Sequence, residues 1–113
     1  MSERLPAGLE ASALLRLAEA QGGFGTILRK GDEERGALLL VVTRRGVHVA
    51  CLERALAANG GYAWQAVGPA ESSSAEDLAD FLQKRTRFDE DLWVIELDIP
   101  QPERFVAETT AAS

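Results

Sequence analysis

The sequence predicts a single α+β domain with a largely antiparallel sheet of about five strands and two helices, in the order α-β-β-β-β-α-β. Three observations carry that expectation. Two amphipathic stretches with helix-stop or helix-cap residues lie far apart in the chain. Between them, β-branched and aromatic runs alternate with short Gly-rich turns. The 113 residues, 46% hydrophobic and 27% charged, suffice for one packed core and no more.

The first helix is read from "PAGLEASALLRLAEAQGG". Ala11, Leu14, Leu15 and Ala18 recur at i, i+3, i+4, i+7 and form one apolar face. Pro6 suits a first turn and Gly22-Gly23 ends the helix, while Arg16 and Glu19 should face water. Phe24 to Arg29 then reads as a strand. Ala37 to Thr43 is continuously apolar, the mark of a central strand covered on both faces. The intervening Gly31-Asp32-Glu33-Glu34-Arg35-Gly36 has the composition of a hairpin loop.

Arg44-Arg45-Gly46 is a second tight turn, followed by the strand "VHVACLE". Regular alternation there puts Val47, Val49 and Cys51 on one face and His48, Ala50 and Leu52 on the other. Arg54 to Asn59 fits a short helix or a loop equally well. "YAWQAVG" is a fourth strand with Tyr62, Trp64 and Ala66 on one face. In the second helix, Ser73 with Glu76, or Ser74 with Asp77 one residue on, makes a capping box. Leu78, Phe81 and Leu82 supply its apolar face, and basic residues at its end complement the helix dipole. The last strand runs from Leu92 to Leu97, with Trp93, Ile95 and Leu97 on one face. Pro100 and Pro102 should stop further pairing and leave a frayed tail over about 107–113.

Two segments together, "GGFGTILRKGDEERGALLL" and "RFDEDLWVIELD", resemble the small alphaproteobacterial proteins grouped as domain of unknown function 1491. Gly22-Gly23-Phe24, Arg29-Lys30-Gly31-Asp32, Arg87-Phe88-Asp89 and Asp91-Leu92-Trp93 carry the likeness, and Glu90 stands where that family usually has proline. The resemblance spans nearly the whole chain. It implies no established activity and assigns no catalytic residue.

The chemistry-bearing residues point the same way. Asp89, Glu90 and Asp91 are adjacent, and three consecutive loop residues do not converge on one metal ion. They read as a solvated helix-to-strand turn that caps backbone N–H groups or pairs with Arg87. "GDEERG" lacks the lysine and the following helix of a phosphate loop. His48 is the only histidine and Cys51 the only cysteine, so a zinc site is not supported. On a regular strand the two would face opposite ways, leaving no Cys–His pair. Catalytic residues, metal and cofactor are therefore expected to be none.

The formal net charge of -6 argues against a broad grip on nucleic acid. No run is apolar for the roughly 20 residues that span a bilayer, and no secretion signal opens the chain, so a cytoplasmic location is expected. The expected partner is a protein or a second copy of the chain, without membrane or nucleic acid, and with no small molecule specified. Tyr62 and Trp64 are the first candidate interface, exposed if their strand is a sheet edge and core if a helix covers them. The alternative is a small-molecule-binding or enzymatic pocket built from Arg87, Asp89, Asp91 and Trp93.

Overall fold

The structure, a computed structural model, describes residues 5–56, 60, 62–71 and 73–111. Helix α1 (Ala7–Ala20) buries Ala7, Glu10, Ala11 and Ala18, with Leu14 and Leu15 packed beside them, which is the face that the apolar spacing predicts. Strands β1 (Phe24–Arg29), β2 (Leu38–Arg44), β3 (Val47–Leu56) and β4 (Tyr62–Val67) follow. Then come α2 (Ala75–Phe88), β5 (Trp93–Asp98) and a third helix, α3 (Pro102–Ala111).

The five strands form one mixed sheet in the order β1-β5-β2-β3-β4. β5 is inserted between β1 and β2, parallel to β2 and antiparallel to β1. The expected hairpin of β1 with β2 is thereby corrected: Gly31–Gly36 does not turn between paired strands but crosses the end of β5. The reason is burial. β2 is apolar at every position from Leu38 to Val42, and β5 supplies the second strand of that kind, so the two pair at the centre.

Even-numbered β2 residues Leu38, Leu40 and Val42 join Leu52, Trp93, Ile95 and Leu97 beneath α1 and α3. Odd-numbered Leu39 and Val41 join Cys51 and Val94 on the opposite face, under Leu78, Phe81 and Leu82 of α2. Ser74 is the N-cap of α2 and accepts the Asp77 N–H at 3.0 Å, which makes it the capping residue of the two that the sequence offers.

Three further expectations are revised. The chain beyond Pro100 is helical through Ala111, not frayed from 107. Pro102 begins α3, where its missing N–H costs nothing, and Phe105 anchors that helix in the core. β3 extends to Leu56, so Arg54–Leu56 is strand, and residues 57–59 lie outside the described residues. The register of β2 with β3 shifts by one at a bulge, where Val42 faces Ala50 and Thr43 faces His48. Val49 is the extra residue. The bulge resets the alternation and puts His48 and Cys51 on the same face, opposite Thr43 and Val41.

Candidate functional site

The two most distinctive sequence segments meet at one end of the sheet and tie the chain together there. Arg29 leaves β1 and turns its guanidinium inward, donating to Leu92 O and, at 2.9 Å, to Glu90 O. The Asp32 N–H donates to Asp91 O at 3.1 Å, and Asp32 O accepts the Trp93 indole N–H at 2.7 Å. The Asp32 carboxylate accepts the N–H groups of Glu34 at 2.9 Å and Arg35 at 2.7 Å. Those two bonds, that of Arg35 first, hold its pKa below the usual aspartate value. A Cβ on Gly31 or Gly36 would collide with Asp91 O, so glycine is what lets the two backbones approach. The same loop closes the start of α1: Glu33 O accepts the Gly8 N–H at 2.8 Å and Glu34 O the Ala7 N–H at 3.3 Å.

This tie places the predicted residues. Asp89 closes the turn after α2, its carboxylate accepting the Asp91 N–H at 3.0 Å. Asp91 is exposed and contributes its carbonyl to the tie. Arg87 is exposed in the last turn of α2, and its side chain has no partner among the described residues. Trp93 is only 3% exposed, its ring set in the core under α1 and its N–H consumed by Asp32. These four residues are neighbours in the fold, yet the bonds among them are those of a turn.

The fourth strand, which carries Tyr62 and Trp64, is a sheet edge. Trp64 is half-buried and packs on the core beneath the helices, with the Arg54 guanidinium 4.8 Å above its ring. Arg54 is held in turn by Glu10 of α1, with Nη1 3.0 Å from Oε1. The β4 edge is thus braced by a helix-borne ion pair and a cation–π contact. The Tyr62 side chain lies outside what the structure describes.

His48 and Cys51, on one face after all, are both buried. The His48 Nε2 lies 3.0 Å from Pro69 O, and its Nδ1 has no partner among the described residues. Burial pushes the Cys51 thiol up to about 11 from 9.0, the opposite of what a nucleophile needs. Among the described residues no group of three or more His, Cys, Asp and Glu side chains is placed to hold a metal ion. No helix among them is long and apolar enough to cross a membrane.

A further apolar surface lies along β1. β1 is the other sheet edge. Phe24, Ile27 and Leu28 are 57%, 42% and 50% exposed. Its only charged residue, Arg29, is spent inside the tie. At the N-terminal end of β1 a groove of about 650 Å³ lies between Gly22–Phe24, Arg44, Arg45, Val47 and Asp98–Pro100. Its floor is rigid. The Asp98 carboxylate accepts the N–H groups of Arg45 and Gly46, each at 2.9 Å, and so fixes the β2–β3 turn. Arg45 there takes a left-handed backbone, φ 51°. A signal for this surface was present in "FGTILR": large apolar residues at positions of both parities, which an edge strand cannot bury together.

The fold and its tie define a small α+β domain with a mixed five-stranded sheet whose two edges are β1 and β4. The chain belongs to the family described as protein of unknown function (DUF1491), whose model matches residues 5–107. It is similar to a DUF1491 family protein from Caulobacter crescentus CB15 in crystal form, at 34% identity and TM-score 0.70 over 82% of this chain and 86% of that one. An NMR structure of a DUF1491 family protein from the same strain matches at 32% and 0.70, over 87% and 89%. The solution structure of protein Atu0922 from A. tumefaciens matches at 27% and 0.72, over 87% and 88%. No curated protein matches the chain.

Proposed function

We propose that this protein is a non-catalytic interaction module that engages a protein partner, or itself, by adding a strand to the β1 edge. One observation carries the reading. An edge strand presents unpaired N–H and C=O groups, and folded proteins ordinarily protect such edges with charge, proline or a covering element. Here the strand has no outward charge and three exposed large apolar side chains in six residues. Main-chain pairing would supply affinity and the flanking Phe24 and Leu28 side chains the selectivity.

The alternative pocket at Arg87, Asp89, Asp91 and Trp93 has less support, because a ring 3% exposed cannot serve as a ligand-binding wall. The braced β4 edge is the natural control. Affinity capture from cells, with mass spectrometry, compares wild type, Leu28→Lys and Trp64→Ala, each checked for fold by circular dichroism. A protein held by wild type and Trp64→Ala but lost with Leu28→Lys is the expected result. Equal capture by the folded Leu28→Lys variant would overturn the assignment to β1.

A further inference from the structure

Resting on that reading of the β1 edge, we infer that its occupant is a second copy of this chain, paired antiparallel about a two-fold axis through Thr26. The register follows from which main-chain groups face outward. Trp93 and Ile99 donate their N–H groups toward β2, to Ala37 O at 2.9 Å and Thr43 O at 3.0 Å. Main-chain groups alternate in direction along a strand, so the even-numbered β5 residues Glu96 and Asp98 bond toward β1. They stand opposite Thr26 and Phe24. Gly25 and Ile27 therefore direct their N–H and C=O groups to the open side, where no backbone partner meets them among the described residues.

An antiparallel pair must keep each sheet face continuous and must match outward groups with outward groups. An axis through Thr26 does both. It sets Gly25 against Ile27 of the second copy, and Ile27 against its Gly25, for four hydrogen bonds. Thr26 then faces itself at the close-spaced position between them, and Phe24 faces Leu28. The neighbouring registers fail. An axis through Gly25 would need the Gly23 N–H, which is already donated to Ala18 O at 2.9 Å. An axis through Ile27 would need Arg29, which lies beyond the bulge that follows Ile27.

Charge does not oppose the pairing locally, despite the net -6 of each chain. Arg29 is turned toward Leu92 O and Glu90 O. Glu96 accepts the Thr43 hydroxyl at 2.9 Å, and Asp98 holds the β2–β3 turn. The strip that meets its copy carries no charge of its own, so self-repulsion is confined to the periphery. The bulge limits the contact to these four main-chain bonds, which makes the dimer a dissociable one.

The decisive test is site-directed cross-linking of the full chain. At a close-spaced antiparallel pair the Cα atoms lie about 4.5 Å apart, within the roughly 4.4–6.8 Å that a disulfide spans. The only native cysteine, Cys51, is fully buried and does not compete. Thr26→Cys under mild oxidation is expected to give a covalent dimer on a non-reducing gel. Lys30→Cys, also exposed to solvent but out of register, is expected to stay monomeric. Sedimentation velocity of the wild type should show a concentration-dependent monomer–dimer exchange that Leu28→Lys removes. Monomer at every concentration, or cross-linking of Lys30→Cys as efficient as that of Thr26→Cys, overturns self-pairing. The wider reading fails separately: if the capture experiment also yields nothing that Leu28→Lys loses, the edge is not an interaction site. If it yields a different protein, the edge reading stands and the second copy is wrong.

Discussion

The two ends of β1 differ in what their side chains do. At its C-terminal end the polar groups of Arg29, Asp32 and Trp93 are bonded within the molecule. Arg29 reaches two carbonyls, Asp32 is bonded through its N–H, its carbonyl and its carboxylate, and Trp93 is buried with its N–H donated. At the N-terminal end and along the edge, Phe24, Ile27 and Leu28 stay 57%, 42% and 50% exposed, although α1 packs against one face of β1. Charge turned inward and apolar surface turned outward is the reverse of the ordinary distribution. The inward half has a structural explanation complete in itself. The outward half leaves three large apolar side chains about half exposed in the monomer, and local rules that fail without internal compensation point to function.

If the tie is structural, breaking it should cost more stability than any change at the edge. Trp93→Ala should have the largest effect, a loss of about 3–5 kcal/mol in urea denaturation, because it opens a cavity in the core beneath α1. Trp93→Phe keeps most of the bulk but leaves Asp32 O short of a donor, and should cost about 1–3 kcal/mol. A Trp93→Phe variant as stable as the wild type would show that the indole N–H bond is incidental. Arg29→Met follows, at about 1.5–3 kcal/mol, since it removes a charged donor from Leu92 O and Glu90 O while retaining an apolar stem.

Two titrations sharpen the contrast. The Asp32 carboxylate has its folded pKa lowered by backbone donors, so its contribution is present above the ordinary aspartate value and is lost as pH falls through the lowered one. Asp32→Asn should therefore flatten the acid limb of the stability curve; an unchanged limb would remove Asp32 from the tie. Cys51 works in the other direction. Its folded pKa of about 11 exceeds the unfolded 9.0, so its stabilising effect is full below pH 9 and fades as pH rises from about 9 to 11. Cys51→Ala should lose that alkaline decline, and iodoacetamide should modify the native wild-type thiol only on unfolding.

How far the sequence discloses this arrangement depends on whether the information is local. The α1 face of Ala11, Leu14, Leu15 and Ala18, the Ser74 cap of α2 and the alternation of Trp93, Ile95 and Leu97 are periodic signals, and they hold in the structure. Strand order is not local. Gly31–Gly36 has the same glycines and acids whether it turns a hairpin or crosses over the end of β5, and only the match of two fully apolar strands decides between them. The bulge at Val42–Thr43 costs one residue of register, leaves no compositional mark, and reverses the expected faces of His48 and Cys51. α3 was hidden because a proline after a strand reads as an end, although it equally begins a helix. Among the candidate residues, acidity drew attention to Asp89 and Asp91, whereas the bare edge is marked by an absence of charge.

The smallest stability effect is the most informative. Leu28→Lys puts a charge on the half-exposed, bulged position of an edge strand, and its stability should stay within about ±0.5 kcal/mol of the wild type, as for surface substitutions away from specific contacts. A lysine at such a position is the protection that natural edges usually carry, so the monomer loses nothing by gaining it. Association is where the cost should appear. If instead Leu28→Lys destabilises the monomer by more than about 1 kcal/mol in urea denaturation, Leu28 is held by contacts within its own chain. The two ends of β1 would then be alike, both serving the fold, and the reason to assign a partner to the edge would be gone.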